Sequence, residues 1–406
     1  MITKENKLQL FLIYFFPFSI ILGNFFINLI IFLSALYFLI NKKKLKEYLS
    51  NFQIIIFFLF LLVLLFSSLF VSIVKMASFL ALLKIVISIL FALFIADTLS
   101  DQNKFENYIK FLSFFVLIIA ADGWVQYIFG KNILGFESIK THGVRLTGVF
   151  RDEAVLGSFI SKLSLIVYCF FYFINKNKYY AIAASIFIIL STIITNERMS
   201  SISVLIGFTI FTIYYFFLFL KELKFLIIIP LVFSLVFFFI KENNSIYYQF
   251  INKTDQYVGG FSKSLNIIDS PHGAHWLTAY KIFKNNLFTG SGLKNFRVIC
   301  SEDIYSSNVK YNDQRCSTHP HNFLMEFLSE TGIIGTILFI IFISSILFQK
   351  IFFLKNPFYF SVFLSLTLYL FPIATSGSFF STWNGCFFWF FLGLLLSFKK
   401  ILNLSR

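Results

Sequence analysis

Apolar runs of near-membrane length follow one another along almost the whole chain, and nothing else in the sequence constrains the fold as strongly. They cover about 8–22, 24–40, 52–71, 77–97, 109–129, 153–174, 179–195, 199–220, 224–240, 322–348, 358–373 and 380–397. A transmembrane helix needs about 20 apolar residues, so twelve spans take roughly 240 of the 406 residues and leave about 166 for loops. Only 13% of the residues are charged, against about 25% in soluble domains, and the mean hydropathy is +0.82. A soluble globular enzyme, a disordered chain and a disulfide scaffold are all excluded. The expected fold is an all-α polytopic membrane protein of about 12 transmembrane helices. Within 8–40 the only breakers are Pro17 and Gly23-Asn24, which predicts two shortened helices meeting at a turn. Met1 to Lys7, ahead of a long apolar run, shows no small-x-small cleavage site and reads as part of a retained first span.

Lysines set the orientation. Lys42, Lys43, Lys44 and Lys46 follow the second run, and Lys104 and Lys110 follow the fourth. Lys176 and Lys178, Lys221 and Lys224, Lys350 and Lys355, and Lys399 and Lys400 mark every second connection after that. Positive loops stay cytoplasmic, so twelve spans place both termini inside and loops 130–152 and 241–321 outside. This bias accounts for much of the net charge of +15, and the remainder suits an anionic substrate or lipid headgroups. The expected organisation is spans one to nine over 1–240, a loop domain over 241–321, and spans ten to twelve over 322–406. A connector of about 80 residues is too long to be structureless, and its segment 273–287 predicts an amphipathic helix with Trp276, Ala279, Tyr280 and Phe283 on one face. No internal repeat is evident, which counts against common secondary-transporter architectures.

Three polar clusters stand at the edges of these runs. Arg145, Arg151, Asp152 and Glu153 form the first; guanidinium groups there either snorkel or bind phosphate oxygens in pairs. The second, Thr195-Asn196-Glu197-Arg198-Met199-Ser200-Ser201, leaves almost no connector between two spans, and ionisable residues at membrane depth are functional by default. The third is Cys316-Ser-Thr-His319-Pro-His321-Asn322, followed by Glu326 and Glu330 at i and i+4 and by Gly332 and Gly335, which allow another backbone to approach. His321 is either a helix cap or a base; no HExxH pattern or third ligand accompanies the pair, so no metal is expected. His272 and His275 flank Gly273 in the long loop and read as hydrogen-bonding residues. Gly290-Ser-Gly292-Leu-Lys-Asn-Phe-Arg297 is a turn without phosphate-loop spacing. Four cysteines without CxxC spacing argue against zinc or a redox pair. Cys300 and Cys316 lie in the outer loop, 16 positions apart, and are expected to form a disulfide; Cys169 and Cys386 lie within spans.

At these clusters the chain resembles the O-antigen ligase and O-antigen polymerase family of membrane glycan transferases. His321-Asn322 followed by Glu330-Thr331-Gly332-Ile-Ile-Gly335 is similar to the family's H-N…E-T-G-x-x-G pattern. Thr289-Gly290-Ser-Gly292…Asn295-Phe296 resembles its G-x-G-x-x-N-F turn, Arg198 its arginine before small residues, and Arg145-Leu-Thr-Gly148-Val-Phe150 its R-x-x-G-x-F segment. The resemblance implies a GT-C-like fold in the bacterial inner membrane, with the active site on the periplasmic side. It implies transfer of a glycan from undecaprenyl diphosphate to an acceptor hydroxyl without metal, cofactor or nucleic acid. The acceptor is the lipid A core for a ligase and another lipid-linked repeat unit for a polymerase. Carried over by position, Arg198 holds the diphosphate and His321 acts on the acceptor hydroxyl. The family's second arginine has no counterpart in Pro271-His272-Gly-Ala-His275-Trp276; His272, His275, Arg145, Arg151 or Arg297 stands in for it. His319, Glu326 and Glu330 are secondary candidates. The alternative is a transporter or flippase of lipid-linked glycan, which explains the arginines but neither His321 nor the large outer loop.

Overall fold

The computed structural model describes residues 4–41, 45–140, 144–175, 177–215, 217, 227–252, 270–348, 351–372 and 375–401. Lys42, Lys43, Lys44, Lys176, Lys221, Lys224 and Lys350, among the lysines that set the orientation, lie outside these residues, as does 253–269 of the outer loop. The helices are α1 (Lys4–Leu22), α2 (Asn24–Ile40), α3 (Asn51–Phe66), α4 (Lys75–Thr98), α5 (Gln102–Phe129), α6 (Leu156–Cys169) and α7 (Lys178–Ile194). They continue with α8 (Arg198–Tyr215), α9 (Ile228–Glu242), α10 (Pro271–Asn285), α11 (Phe323–Phe348), α12 (Pro357–Tyr369) and α13 (Thr382–Ile401). No strand occurs among the described residues; two isolated bridges, Lys131 with Glu137 and Ile139 with Arg145, are the extended pairings.

Each expected apolar run is helical over most of its described residues, but the helices differ in reach. Among the described residues, six helices are long and apolar enough to cross a membrane: Asn51–Val71, Lys75–Thr98, Gln102–Phe129, Leu156–Ile174, Arg198–Tyr215 and Phe323–Phe348. A seventh span arises if Ile228–Glu242 and Asn244–Asn252, bent by 102°, count as one. Five shorter apolar helices, Lys7–Leu22, Asn24–Ile40, Tyr179–Ile194, Pro357–Tyr369 and Thr382–Phe398, are 10–17 residues long. The break between the first two falls at Gly23, whose φ of 107° favours glycine, while α1 runs through Pro17.

The chain forms two compact units, each drawn from more than one stretch of the sequence. The first comprises Met1–Thr98, Tyr257–Ile351 and Leu370–Arg406; the second comprises Leu99–Gln256 and Phe352–Tyr369. In the first unit α4 packs against α13 and α2, and α3 and α10 pack against α11. Phenylalanine rings fill its centre: Phe327 and Phe339 have centroids 4.6 Å apart, and Phe379 and Phe388 4.9 Å. In the second unit α6 packs against α5, α7, α8 and α12. Outward rings such as Phe70 and Phe129, 72% and 75% exposed, suit a hydrocarbon solvent rather than water.

α11 is interrupted at Gly332, where φ is 66° and ψ −174°. Segment 287–292 crosses it there and supplies the backbone partners that the break would otherwise lack. Ser291 N donates to Ser329 O (2.9 Å), Gly292 N to Glu330 O (3.0 Å) and Ile333 N to Leu287 O (2.9 Å). The crossing admits no side chain. A Cβ on Gly332 would stand 2.4 Å from Gly290 N, and one on Gly290 2.4 Å from Glu330 C.

Candidate functional site

In the first unit the loop after α10 is tied back on itself. Cys300 and Cys316 are disulfide-bonded with Cα atoms 5.3 Å apart. Arg315 donates from Nε to Cys300 O (3.0 Å) and from Nη2 to Ser301 O (2.8 Å). The Arg315 carbonyl in turn accepts from His275 Nδ1 at 3.1 Å, so the buried face of α10 is joined to the approach to α11. That face carries His275, Thr278, Ala279 and Ile282, whereas Tyr280 is exposed and Trp276 half-buried. The stripe expected from the sequence is therefore rotated, because the partner that decides it is a distant loop rather than the helix's own periodicity.

Four of the chain's five histidines meet at this place. Ring centroids lie 4.1 Å apart for His319 and His321, 5.3 Å for His275 and His321, and 5.4 Å for His272 and His321. His319 donates from Nε2 to Ser376 O (3.2 Å) and accepts at Nδ1 from Thr318 Oγ1 (3.0 Å), so both its ring nitrogens are engaged. His321 differs. Its Nε2 pairs with Ser317 Oγ at 3.0 Å, and among the described residues its Nδ1 has no hydrogen-bond partner. With Nε2–H donating to Ser317, Nδ1 keeps a lone pair that can take a proton. The ring is aimed by an unusual backbone: His321 has φ 54°, and its carbonyl accepts from Ser376 N at 2.9 Å. Asn322 then caps α11, accepting from Met325 N at 3.0 Å while its amide donates to Pro372 O at 2.6 Å.

Burial favours the neutral form of three of these rings. Burial, reinforced by His319, His272 and His275, lowers the His321 pKa to about 3. Burial, with Lys294, His275 and Arg297, lowers His319 to about 4 despite its bond to Ser376. Burial also lowers His275, against the pull of the Arg315 carbonyl. Among the described residues no group of three His, Cys, Asp or Glu is arranged to hold a metal ion.

The two glutamates that rival His321 as a base serve the backbone. Glu326 accepts from Ser378 Oγ (2.5 Å) and Phe379 N (2.7 Å). Glu330 accepts from Lys294 N (2.8 Å) and Phe296 N (3.3 Å), fixing the turn in which Lys294 has φ 63°. Asn295, fully buried, closes the same turn: Oδ1 accepts from Ile73 N at 3.0 Å and Nδ2 donates to Ser72 Oγ at 2.7 Å. Its role is to lock 290–296 onto the start of α4. Arg297 is exposed.

The second unit gathers the arginine cluster. Gln126 of α5 accepts from Thr147 N (2.9 Å) and Gly148 N (2.8 Å), and Asp122 accepts from Ile133 N (3.0 Å), so α5 moulds loop 130–150. Asn196, at φ 61°, donates from Nδ2 to Val144 O (2.7 Å), bringing the residue before Arg145 to the turn before Arg198. Glu197 caps α6, accepting from Gly157 N (2.8 Å), Ser158 N (2.9 Å) and Ser200 Oγ (3.0 Å). Its pKa is raised by burial, against the Gly157 N–H, Ser200, Lys162 and Arg145, so both cations stand within its field. Arg145 is half-buried with an Nε that makes no hydrogen bond, and Arg198 opens α8 half-buried. Arg151 is exposed at φ 60°. Lys162, which donates to Ser158 Oγ, is absent from the sequence candidates. An ionisable residue inside an apolar run was the available signal.

Residues 183–340 match the family model described as O-antigen ligase, so the resemblance drawn from the motifs holds over that segment. No curated protein matches the chain. The matched stretch takes in Arg198, all four clustered histidines, Glu326 and Glu330, and leaves Arg145 and Arg151 outside it. Over that segment the chain is similar to the O-antigen ligase family, and its apolar helices suit a multi-pass membrane protein.

Proposed function

We propose that the protein is a metal-independent glycan transferase that moves a glycan from undecaprenyl diphosphate to an acceptor hydroxyl, the acceptor being the lipid A core or another lipid-linked repeat unit. The acceptor oxygen attacks the anomeric carbon of the donor's reducing-end sugar as that carbon's bond to the diphosphate oxygen breaks. His321 Nδ1 takes the acceptor proton, and the diphosphate leaves with the electron pair. Arg198, with Arg145 and Arg151, holds the diphosphate, because guanidinium forks suit phosphate oxygens and stabilise the charge that develops on leaving. What supports this reading most is the His321 ring, whose burial favours the neutral form and whose Nδ1 has no hydrogen-bond partner among the described residues. Reconstitution with a lipid-linked oligosaccharide and each of the two acceptors tests it. Transferred glycan should appear with one free undecaprenyl diphosphate per turnover; movement of the donor across the bilayer with no diphosphate released would mark a flippase instead.

The reading places the histidine cluster on the periplasmic side of the bacterial inner membrane. Lysine alternation supports it: reporter fusions at Lys46 and Asn308 are expected to report cytoplasmic and periplasmic positions respectively. The same sidedness at both points would overturn this topology.

A further inference from the structure

One short stretch of chain, residues 315–318, touches three of the four clustered histidines. The Arg315 carbonyl accepts from His275 Nδ1 (3.1 Å), Ser317 Oγ pairs with His321 Nε2 (3.0 Å), and Thr318 Oγ1 donates to His319 Nδ1 (3.0 Å). The rotation of all three rings is therefore set from one place.

That stretch has little to hold it still. It forms no helix or strand, and among the described residues no backbone–backbone hydrogen bond reaches Cys316, Ser317, Thr318, His319 or Pro320. Single hydrogen bonds to imidazoles do not offset the conformational entropy of ordering such residues. Two side chains supply the restraint, and both reach the same two residues. Cys316 is bonded to Cys300, and Arg315 donates to the carbonyls of Cys300 (3.0 Å) and Ser301 (2.8 Å). Cys300 is a fixed point: only 1% exposed, it belongs to a buried cluster with Ala279 and Ile282 of α10 and with Phe296, Ile299 and Tyr305. The disulfide thus ties 315–318 into the packing of the helix that carries His272 and His275.

We propose that the Cys300–Cys316 disulfide and Arg315 are the positioning groups of the histidine cluster, and that the protein reaches full activity only after the two thiols are oxidised. The consequence for activity rests on the transferase reading; the consequence for the rings does not. Making the bond releases two protons and passes two electrons to a thiol–disulfide oxidant, so a dithiol oxidation must precede efficient transfer. In the reverse direction a thiolate attacks the sulfur of Cys316, which is exposed, and the buried Cys300 leaves as a thiolate. A second thiolate then frees Cys316, and the reductant departs as its own disulfide. Cys169 and Cys386, buried outside this loop, take no part.

The purified full chain is compared as the disulfide, after dithiothreitol, and after reoxidation with oxidised glutathione. Cys300→Ala/Cys316→Ala, which cannot re-form the bond, is the control. Histidine access is read by diethyl pyrocarbonate labelling with peptide mass mapping, and turnover with a lipid-linked oligosaccharide and acceptor. Reduction is expected to raise labelling of His275 and His319, each of which loses a ring bond, by roughly fivefold. It should lower kcat about ten- to a hundredfold, the scale of a displacement of about 1 Å, with donor KM little changed. The acid limb of kcat/KM should rise toward the ordinary histidine range as water reaches the rings, and reoxidation should reverse each change. Unchanged labelling on reduction overturns the proposal, and so does raised labelling with full turnover. If the reduced chain leaves the wild-type elution volume, Arg315→Met decides: with the disulfide intact it should raise His275 labelling about threefold, and wild-type labelling overturns the proposal. Labelling that responds as expected in a chain that transfers no glycan in either state refutes the transferase reading and leaves the positioning role standing.

Discussion

Replacing His321 with alanine is expected to lower glycan transfer by roughly two to four orders of magnitude at matched membrane levels, the usual contribution of a positioned general base. His319→Ala should cost much less. The two rings are neighbours, yet their hydrogen bonds differ: His319 has both nitrogens bonded, to Thr318 and Ser376, whereas His321 has Nδ1 open. Ser317→Ala should fall between them, because it frees the tautomer without removing the ring. The pH dependence offers a second reading of the same group. Burial and three other imidazoles favour the unprotonated form, so the ring stays deprotonated, as a weaker base, down to acid pH. The acid limb of kcat/KM should therefore lie well below the ordinary histidine range near pH 6.5. An anionic donor favours the imidazolium, so the corresponding limb of kcat should sit higher than that of kcat/KM. Full activity in His321→Ala would remove it from the mechanism, and an acid limb at pH 6.5 in kcat/KM would contradict the desolvated cluster.

The helices were readable because an apolar run has one outcome in a bilayer, and the joint at Gly23 was readable because only glycine tolerates its backbone. Span count is harder to read: a run such as 358–373 is apolar enough, yet its described helix, Pro357–Tyr369, is shorter than a bilayer requires. The site was legible in its members but not in its assembly. His272 and His275 looked like loop residues because their partners His319 and His321 lie more than 40 positions away, and contacts at that separation leave no periodicity to find. Glu326 and Glu330 stood as secondary candidates because they lie at i and i+4 on one helix face. Their partners are backbone amides of segments 294–296 and 378–379, which only the folded chain brings to them. Lys162 was hidden by the surrounding hydrophobicity, although a cation within an apolar run is the least expected residue there.

Arg198→Lys should be nearly as damaging as Arg198→Ala, with either variant losing on the order of 10²–10³ in kcat, the usual cost of one preorganised donor to a developing anion. The charge alone is not the requirement. A guanidinium offers two parallel N–H bonds to a pair of phosphate oxygens, whereas an ammonium offers a compact, strongly hydrated point charge that must be stripped of water to bind. The local structure fixes the backbone that carries this fork. Arg198 opens α8 directly after Glu197, whose carboxylate is held by Gly157 N, Ser158 N and Ser200 Oγ, and after Asn196, pinned to Val144 O. Gly157 permits this approach, because a Cβ there would stand 2.4 Å from Thr195 Oγ1. Since the diphosphate gains negative charge as the glycosidic bond breaks, the loss should fall on kcat as well as on donor affinity. An Arg198→Lys enzyme within tenfold of wild type would reduce the residue to a generic positive charge. A variant that binds the donor more weakly but turns over normally at saturation would confine Arg198 to ground-state binding and leave the leaving-group charge to Arg145, Arg151 and Lys162.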